Sequence, residues 1–252
     1  MVLTFPWRKL QSYLAEMAAT FIFIFVVYSA VLTASMDELN GGPILEGLSV
    51  GFVTAAIIYS FVDITIAHFN PAITFAAICL GKLPIVTGIT YIIFQLLGSM
   101  IACAVVLGCF PQPVSDILDI IRPSGVDSEV TTGEIMCTEL FLSAILTFVA
   151  FAVAVNPYKS PKYEDPEAEQ LLSRPEDIKP DRSPFAPLVI GLIILVLALV
   201  GASTSGGAFN PAIVWSPVLF SGVWNDSWKY WIAEFVGGVA GGAVQVLILS
   251  RS

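Results

Sequence analysis

Apolar residues are gathered into six long runs, and two further apolar runs are much shorter. The long runs lie at residues 10–34, 43–64, 85–110, 133–155, 185–202 and 228–249. A helix needs about 20 apolar residues to cross a bilayer, so each long run predicts one membrane-spanning helix. The short runs, 71–80 and 211–220, follow the second and fifth long runs and are too short to span.

Both short runs begin with the same tripeptide. The two copies are Asn70-Pro71-Ala72 and Asn210-Pro211-Ala212. Asparagine is a favoured N-cap and proline suits the first helical position, so each copy predicts the start of a short helix. An Asn-Pro pair alone is an ordinary turn signal. The shared sequence Phe-Asn-Pro-Ala-Ile, in equivalent places of the chain, is far more specific.

The chain divides into two halves, at about 10–110 and 133–249, and each half holds three spans and one short helix. Matching residues recur in equivalent spans: Glu16 and Thr20 recur as Glu139 and Ser143, and Tyr91, Gln95 and Gly98 recur as Tyr230, Glu234 and Gly237. Because three spans invert the chain, we expect the second half to have the opposite topology and the short helices to meet near the midplane. The prediction is one all-α membrane domain over residues 1–252 with an inverted repeat.

Composition supports a polytopic membrane protein. Hydrophobic residues make up 56% of the chain and charged residues 12%, about half the charged share of a typical soluble domain. The first run lacks a small-residue cleavage site and is long enough to span, so no cleavable signal peptide is expected. Most acidic residues lie in two loops, so the net charge of -9 predicts no nucleic-acid partner.

The four cysteines, at positions 79, 103, 109 and 137, match neither a metal site nor a disulfide framework. Three lie in apolar segments and are expected to be packed, which leaves Cys109 as the exposed one. No phosphate-binding loop is found. We therefore expect no cofactor and no catalysis.

Lysine and arginine positions set the expected orientation. With the N-terminus inside, nine of these residues face the cytosol, and only Arg122 and Lys229 face the other side. We therefore expect both termini in the cytosol. The cytosolic segment 157–184 carries six prolines and a dense mix of charges, which is typical of an extended segment. A solvated linker and a regulatory gate, modified at Ser160, Ser173 or Ser183, are both compatible with it.

Two helix N-termini that meet at the midplane focus positive potential on one point. The Asn70 and Asn210 amides add hydrogen-bond donors there. A water or alcohol oxygen can accept from both amides, whereas a cation is repelled and a proton wire is interrupted. The pattern therefore predicts a passive path for water and small neutral solutes.

The paired motifs resemble those of the aquaporin, or major intrinsic protein, family. The resemblance covers residues 10–249 and is carried by segments 67–74 and 206–212, with Glu16-x-x-x-Thr20 and Gln95-x-x-Gly98. It implies six spans with two re-entrant half-helices, a pore in each protomer and a homotetramer in the lipid bilayer. It also implies that Glu16 and Glu139 brace the two re-entrant loops through backbone hydrogen bonds.

The single histidine, His68, matches the family histidine at the cytosolic mouth of the pore. Packing and loop bracing is the expected role, with pH sensing as the alternative. Glu234 is likewise expected to act in structural bracing, and Asp63 has no predicted role. Trp215 and Phe52 are expected to add bulk near the outer vestibule.

The resemblance also marks four positions of the outer constriction, which are occupied here by Val50, Ala198, Gly207 and Ile213. Family members usually have an aromatic residue in this set and an arginine where Ile213 stands. We therefore expect a wider, apolar constriction that discriminates less among water, glycerol, urea, ammonia and hydrogen peroxide. Gly207 stands where many relatives carry a mercury-sensitive cysteine, so no block is expected there.

Other family markers conflict with one another. Glycerol-conducting members carry an aspartate where Val214 stands, and water-selective members carry an aromatic residue before tryptophan, as in Tyr230-Trp231. Two other functions are compatible with the inverted repeat. A secondary transporter needs a coupling-ion site among the deep acids, and a structural membrane protein keeps the fold with an occluded pore.

Overall fold

The computed structural model describes residues 7–36, 41–123, 130–155 and 183–249, and its regular elements in these ranges are helical. The helices are α1 Trp7–Met36, α2 Gly42–Phe61, α3 Pro71–Cys79, α4 Ile85–Cys109, α5 Val114–Ile121, α6 Thr132–Ala150, α7 Ala186–Gly201, α8 Pro211–Ser221 and α9 Ser227–Ala243. A 3-10 turn at Ser183–Phe185 precedes α7, and π-helical turns at Phe151–Val155 and Val244–Leu249 extend α6 and α9. The predictions for Ser160 and Ser173 lie outside the described residues.

Five of the six predicted spans form helices long and apolar enough to cross a membrane. The fifth span, predicted at 185–202, is shorter than expected because α7 has 16 residues, about 24 Å at 1.5 Å per residue. Phe185 belongs to the preceding 3-10 turn, and Ala202 begins the loop that leads to α8. The 3-10 turn adds three helical residues before the start of α7.

The two short helices begin at the predicted residues. α3 runs from Pro71 and α8 from Pro211, and each starts directly after an asparagine cap. α8 ends at Gly222, whose φ of 71° is the left-handed conformation that terminates many helices. Both helices are far too short to cross a bilayer.

The packing of the spans follows the inverted repeat. α1 packs along α4, and the equivalent helices α6 and α9 pack along each other in the second half. α2 crosses α7 between the halves, where Gly51 faces Gly191, the residue 140 positions later. A methyl group on Gly51 would lie 2.8 Å from the Gly191 carbonyl oxygen. Small residues thus let the two halves meet backbone against backbone.

The outward faces of the bundle are apolar. On α4, an exposed residue recurs every four positions, as Ile85, Ile89, Ile93, Leu97 and Ile101. Such a face suits lipid or a second protomer. The opposite face of α4 carries the buried residues Tyr91, Gln95 and Ser99, which point toward the half-helices.

Two features differ from the sequence-based predictions. Cys79 and Cys137 are exposed and only Cys103 of the four cysteines is buried, because the former two lie on outward faces of their helices. In addition, the segment after α4 forms the eight-residue helix α5, which was not predicted. It buries Ile117, Leu118 and Ile121 in the bundle.

Candidate functional site

The two asparagines cap the half-helices in the same way. Asn70 has an extended backbone, with φ of -145°, and its Oδ1 accepts a hydrogen bond from the Ala72 N–H over 2.8 Å. Asn210 Oδ1 accepts from the Ala212 N–H over 3.0 Å. Because each side-chain oxygen is occupied by its own helix, each amide nitrogen is directed away from that helix.

The amide nitrogens link the two halves. Asn70 Nδ2 donates to the Phe209 carbonyl oxygen over 2.9 Å, and Asn210 Nδ2 donates to the Phe69 carbonyl oxygen over 3.0 Å. Phe69 and Phe209 have φ of 35° and 33°, a strained conformation that turns their carbonyls to the opposite loop. A side-chain amide has two N–H groups, so one remains on each asparagine.

Glu16 holds the first re-entrant loop. Its carboxylate accepts from the backbone N–H groups of His68 and Phe69 over 3.1 and 3.0 Å. Thr65 Oγ1 and Gln95 Nε2 donate to the same carboxylate over 2.5 and 2.8 Å. The carboxylate is fully buried, and each hydrogen bond compensates part of its lost hydration.

Glu139 occupies the equivalent place in the second half. It accepts from the backbone N–H groups of Ala208 and Phe209 over 3.0 and 2.6 Å. Glu234, which stands where the first half has Gln95, accepts the next N–H, that of Asn210, over 3.1 Å. Glu139 and Glu234 thus accept three successive backbone N–H groups of the second loop.

In each half, a tyrosine hydroxyl contacts the re-entrant loop a few residues before the asparagine cap. Thr65 Oγ1 lies 3.3 Å from the Tyr91 hydroxyl oxygen. At the equivalent position in the second half, the Tyr230 hydroxyl donates to the Ser205 carbonyl oxygen over 2.7 Å. Tyr230, taken as a marker of water selectivity, therefore contacts the loop backbone.

A cavity of about 550 Å³ lies on the side of the half-helix N-termini where α2 ends and α7 begins. Asn70 and Asn210 line it, and so do Asp63 and His68. The His68 ring is buried, and its Nδ1 lies 3.1 Å from Thr74 Oγ1. The structure thus brings the predicted mouth residue and both caps to one cavity.

A second cavity, of about 300 Å³, lies on the opposite side. We call the first the inner cavity and the second the outer cavity, after the orientation that the sequence predicts. The four predicted constriction residues, Val50, Ala198, Gly207 and Ile213, all line it. Phe209 borders both cavities, so the asparagine caps lie at the boundary between them. Two residues expected near the outer vestibule do not line it: Trp215 packs on Trp224 and Trp231, and Phe52 is exposed on the outer surface.

The backbone of Ile213 is fixed by a residue that the sequence analysis did not identify. Pro217, inside α8, has no N–H and cannot donate to the Ile213 carbonyl four residues earlier. The Tyr28 hydroxyl donates to that carbonyl over 2.7 Å and also lies 2.9 Å from Ser216 Oγ. A proline inside the half-helix is the signal that indicates the need for such a donor.

The sequence analysis also missed the charged residues of the outer cavity. Glu46, Asp119 and Arg122 line it together with the constriction residues. The spacing of Ile117, Leu118 and Ile121 indicates an amphipathic helix whose apolar face packs on the bundle. Arg122 follows Ile121 directly and therefore lies close to that packed face. Within the described ranges, no cluster of three or more His, Cys, Asp and Glu residues is suited to hold a metal ion.

Comparison with known proteins agrees with this geometry. The sequence profile of the family described as "Major intrinsic protein" matches residues 4–166 and 170–245. A protein named Aquaporin from Vairimorpha ceranae is 45% identical over 250 residues, which is 99% of both chains. Aquaporin-B from Dictyostelium discoideum is 36% identical over 248 residues, which is 93% of this chain and 82% of that protein.

A solved structure has the same fold. The aquaglyceroporin from Plasmodium falciparum matches with a TM-score of 0.73 over 96% of this chain and 97% of its own, at 18% sequence identity. The profile match and the identity to aquaporins over nearly the whole chain decide the family. The chain belongs to the major intrinsic protein family and is an integral membrane channel with the aquaporin fold.

Proposed function

We propose that the pore conducts water and small neutral solutes passively and excludes protons and ions. The pair of asparagine caps carries this proposal. One N–H of each amide is used on the opposite loop, and both side chains line the inner cavity at its boundary with the outer one. A passing oxygen can therefore accept the remaining N–H of each residue.

This arrangement opposes proton and cation passage. A water molecule that accepts from both amides turns its oxygen toward them, so its own hydrogens point away and the proton wire is broken. The N-termini of α3 and α8 also lie here, and their partial positive charges repel cations. Passage of a neutral solute meets neither barrier.

The constriction supports selection by size. Val50, Ala198, Gly207 and Ile213 bring neither a charge nor a side-chain hydrogen bond to the outer cavity. We therefore propose glycerol, urea, ammonia and hydrogen peroxide as solutes besides water. The same proposal makes these four residues the filter, the two asparagine caps the central donors, and His68 a residue of the pore mouth.

The hydrogen bonds of the deep acids argue against a secondary transporter. Glu16 and Glu139 each accept two backbone N–H groups, and Glu234 accepts a third in the second loop. A coupling ion would have to displace these bonds and leave buried N–H groups without partners. We propose that these carboxyl groups brace the loops.

We further propose a homotetramer of one channel domain per chain, with both termini in the cytosol. The apolar outward face of α4 and the exposed Cys79 and Cys137 suit contacts with lipid or neighbouring protomers. Three cationic residues lie on the same side of the bundle as the inner cavity: Arg8 and Lys9 at the start of α1, and Lys82 after the end of α3. Their charge supports a cytosolic location of that side.

The test is stopped-flow light scattering on liposomes that contain the pure protein, first under a sucrose gradient and then under a glycerol gradient. We expect water flux well above that of empty liposomes, with glycerol flux set by the apolar constriction. No water flux from correctly assembled protein would contradict the open channel and favour an occluded structural protein.

Replacing the central constriction residue tests the filter. Ile213→Arg introduces the charge and the planar donor group that the family resemblance implies at this position, and we expect it to reduce glycerol flux more than water flux. Ile213→Leu keeps an apolar side chain of the same size and is the matched control. Equal glycerol-to-water ratios in the two variants would contradict a filter at this position.

A further inference from the structure

A short helix fixes the backbone beside the outer cavity. α5 buries Ile117, Leu118 and Ile121 and packs against α1 and α8, while its other side chains are exposed. Arg122 follows directly, and its backbone N–H donates to the Leu118 carbonyl oxygen over 3.1 Å. The last turn of α5 therefore sets where the Arg122 side chain starts.

Two neighbours hold the Arg122 guanidinium. Nη2 lies 3.1 Å from Asp119 Oδ1, and Nη1 donates to Ser221 Oγ over 3.5 Å. Ser221 is the last residue of α8, where the partial negative charge of the helix end favours a cation. Only 18% of the Arg122 side chain is exposed, against 68% for Asp119, so the positive charge has a defined place.

The same guanidinium borders the path of solutes. Arg122 and Asp119 line the outer cavity, and Glu46 lines it from α2. Glu46 precedes Val50 by four residues, so it lies one helical turn outward on the same face of α2. These three charged residues, which we call the charged layer, thus line the same cavity as the four apolar constriction residues.

We propose that Arg122 is the residue that discriminates among neutral solutes, in this charged layer outside the constriction. The inference rests on the proposed function, because it requires a conducting pore. The solutes affected are small polyols and amides, such as glycerol and urea.

The physical reason is the cost of dehydration. A fixed guanidinium presents N–H donors to the cavity, and with two carboxylates it offers hydrogen-bond partners that hold water there. A polyol has to displace that water and then enters a constriction that offers its hydroxyl groups no side-chain partner. A single water molecule is smaller and loses fewer hydrogen bonds, so the layer slows polyols and amides more than water.

The test compares Arg122→Ala with the wild-type protein in liposomes, by water, glycerol and urea flux. We expect the glycerol-to-water and urea-to-water permeability ratios to rise by roughly tenfold, the effect of losing one interaction with a charged group. Water flux per channel should change much less than glycerol or urea flux. If the wild-type protein excludes glycerol, Arg122→Ala should admit it.

Three further variants separate charge, anchoring and general disturbance of α5. Arg122→Lys keeps the charge and should retain part of the discrimination. Asp119→Asn releases the guanidinium from its ion pair and should raise the ratios partway. Asp116→Asn removes an exposed charge of the same helix that does not line the cavity, and it should leave the ratios unchanged.

The outcomes distinguish this inference from the proposed function. Unchanged ratios in Arg122→Ala, with normal water flux, would overturn the role of Arg122 and leave the channel intact. A ratio that rises equally in Asp116→Asn would also overturn it, since α5 as a whole would then be responsible. Absence of wild-type water flux would overturn the proposed function, and the inference would fall with it.

Discussion

Each cap asparagine uses its two polar atoms for different partners. The oxygen of Asn70 closes its own helix, and the nitrogen reaches the carbonyl of the opposite loop. The oxygen of Asn210 likewise caps its own helix, and its nitrogen donates to the Phe69 carbonyl in the first loop. An aspartate or a serine can supply the cap, but only asparagine or a similar amide can supply both bonds.

This division of roles predicts the effect of Asn70→Asp. The cap acceptor remains, but the donor to Phe209 is lost and a negative charge lies at the midplane. We expect a loss of about 1–3 kcal/mol in stability and a higher proton leak, because the charge offsets the positive potential of the helix ends. Thermal unfolding and a pH-sensitive dye inside liposomes measure the two effects.

Asn70→Ser is the matched control for that variant. It keeps a cap acceptor and loses the cross-loop donor without adding a charge, so it should lower stability but add less proton leak. Equal leaks in the two variants would argue against electrostatic exclusion at this point.

The two halves solve the same bracing problem with different residues. Gln95 donates an N–H to the Glu16 carboxylate, whereas the equivalent Glu234 is an acid that accepts the Asn210 N–H through Oε1. Among the described residues, Glu234 Oε2 has no hydrogen-bond partner. Glu234 therefore offers no amide donor of the kind that Gln95 gives in the first half.

We therefore expect Glu234→Gln to keep or raise the thermal stability of the protein. The glutamine oxygen can still accept the Asn210 N–H, and the second loop then buries one carboxyl group fewer. Glu139→Gln should cost about 1–3 kcal/mol, because one amide oxygen then replaces two carboxylate oxygens that serve two backbone N–H groups. A larger loss for Glu234→Gln than for Glu139→Gln in thermal unfolding would refute this account.

At the scale of elements, the second half-helix depends on a residue from another span. Pro217 leaves the Ile213 carbonyl without its helical donor, and the Tyr28 hydroxyl from α1 supplies it. This bond fixes the backbone at Ile213, which lines the outer cavity.

A double-mutant cycle tests this pairing. Tyr28→Phe should destabilise the protein by about 1–3 kcal/mol, because a buried carbonyl loses its donor. Pro217→Ala restores an N–H four residues after Ile213, so Tyr28→Phe should cost less in that background. Thermal unfolding of the four proteins gives the coupling, and strictly additive losses would show that the hydroxyl and the proline are independent.

Sequence reasoning worked best where local chemistry determines structure. An asparagine cap followed by proline fixes the start of α3 and of α8, and length alone separates them from spans. The spacing of Ile117, Leu118 and Ile121 is a local sign of α5, but a helix of eight residues is stable only through its packing against other helices. The cross-loop bonds of Asn70 and Asn210 likewise depend on tertiary contact, and so does the position of Arg122.

At the scale of the whole molecule, the crossing of α2 and α7 holds the two halves together. Gly51 and Gly191 face each other there, and a methyl group on Gly51 would lie 2.6 Å from Leu195 Cβ. The nearest atoms are Leu195 Cβ, Leu195 Cα and the Gly191 carbonyl oxygen, which cannot move aside without the backbone.

We expect Gly51→Ala to cost about 1–3 kcal/mol in thermal unfolding, as overpacked cores do, and to reduce water flux by displacing Val50. Gly41→Ala is the control, since nothing lies within 4 Å of a methyl group at that position. If both variants unfold alike, close approach of the two helices is not what stabilises the bundle.

The contacts between equivalent residues have an evolutionary consequence. The amide of Asn70 reaches the loop that precedes Asn210, and the amide of Asn210 reaches the loop that precedes Asn70. Gly51 likewise meets Gly191, so these central contacts join equivalent segments that lie 140 residues apart in the chain. Two identical half-length chains, inserted in opposite directions, could make the same contacts with each other. Such a half-length chain would have to enter the membrane both ways round, whereas a fused chain has no such requirement and lets each copy differ. The exchange between Gln95 and Glu234, and the place of Arg122 in the segment between the halves, are features that only a fused chain can hold.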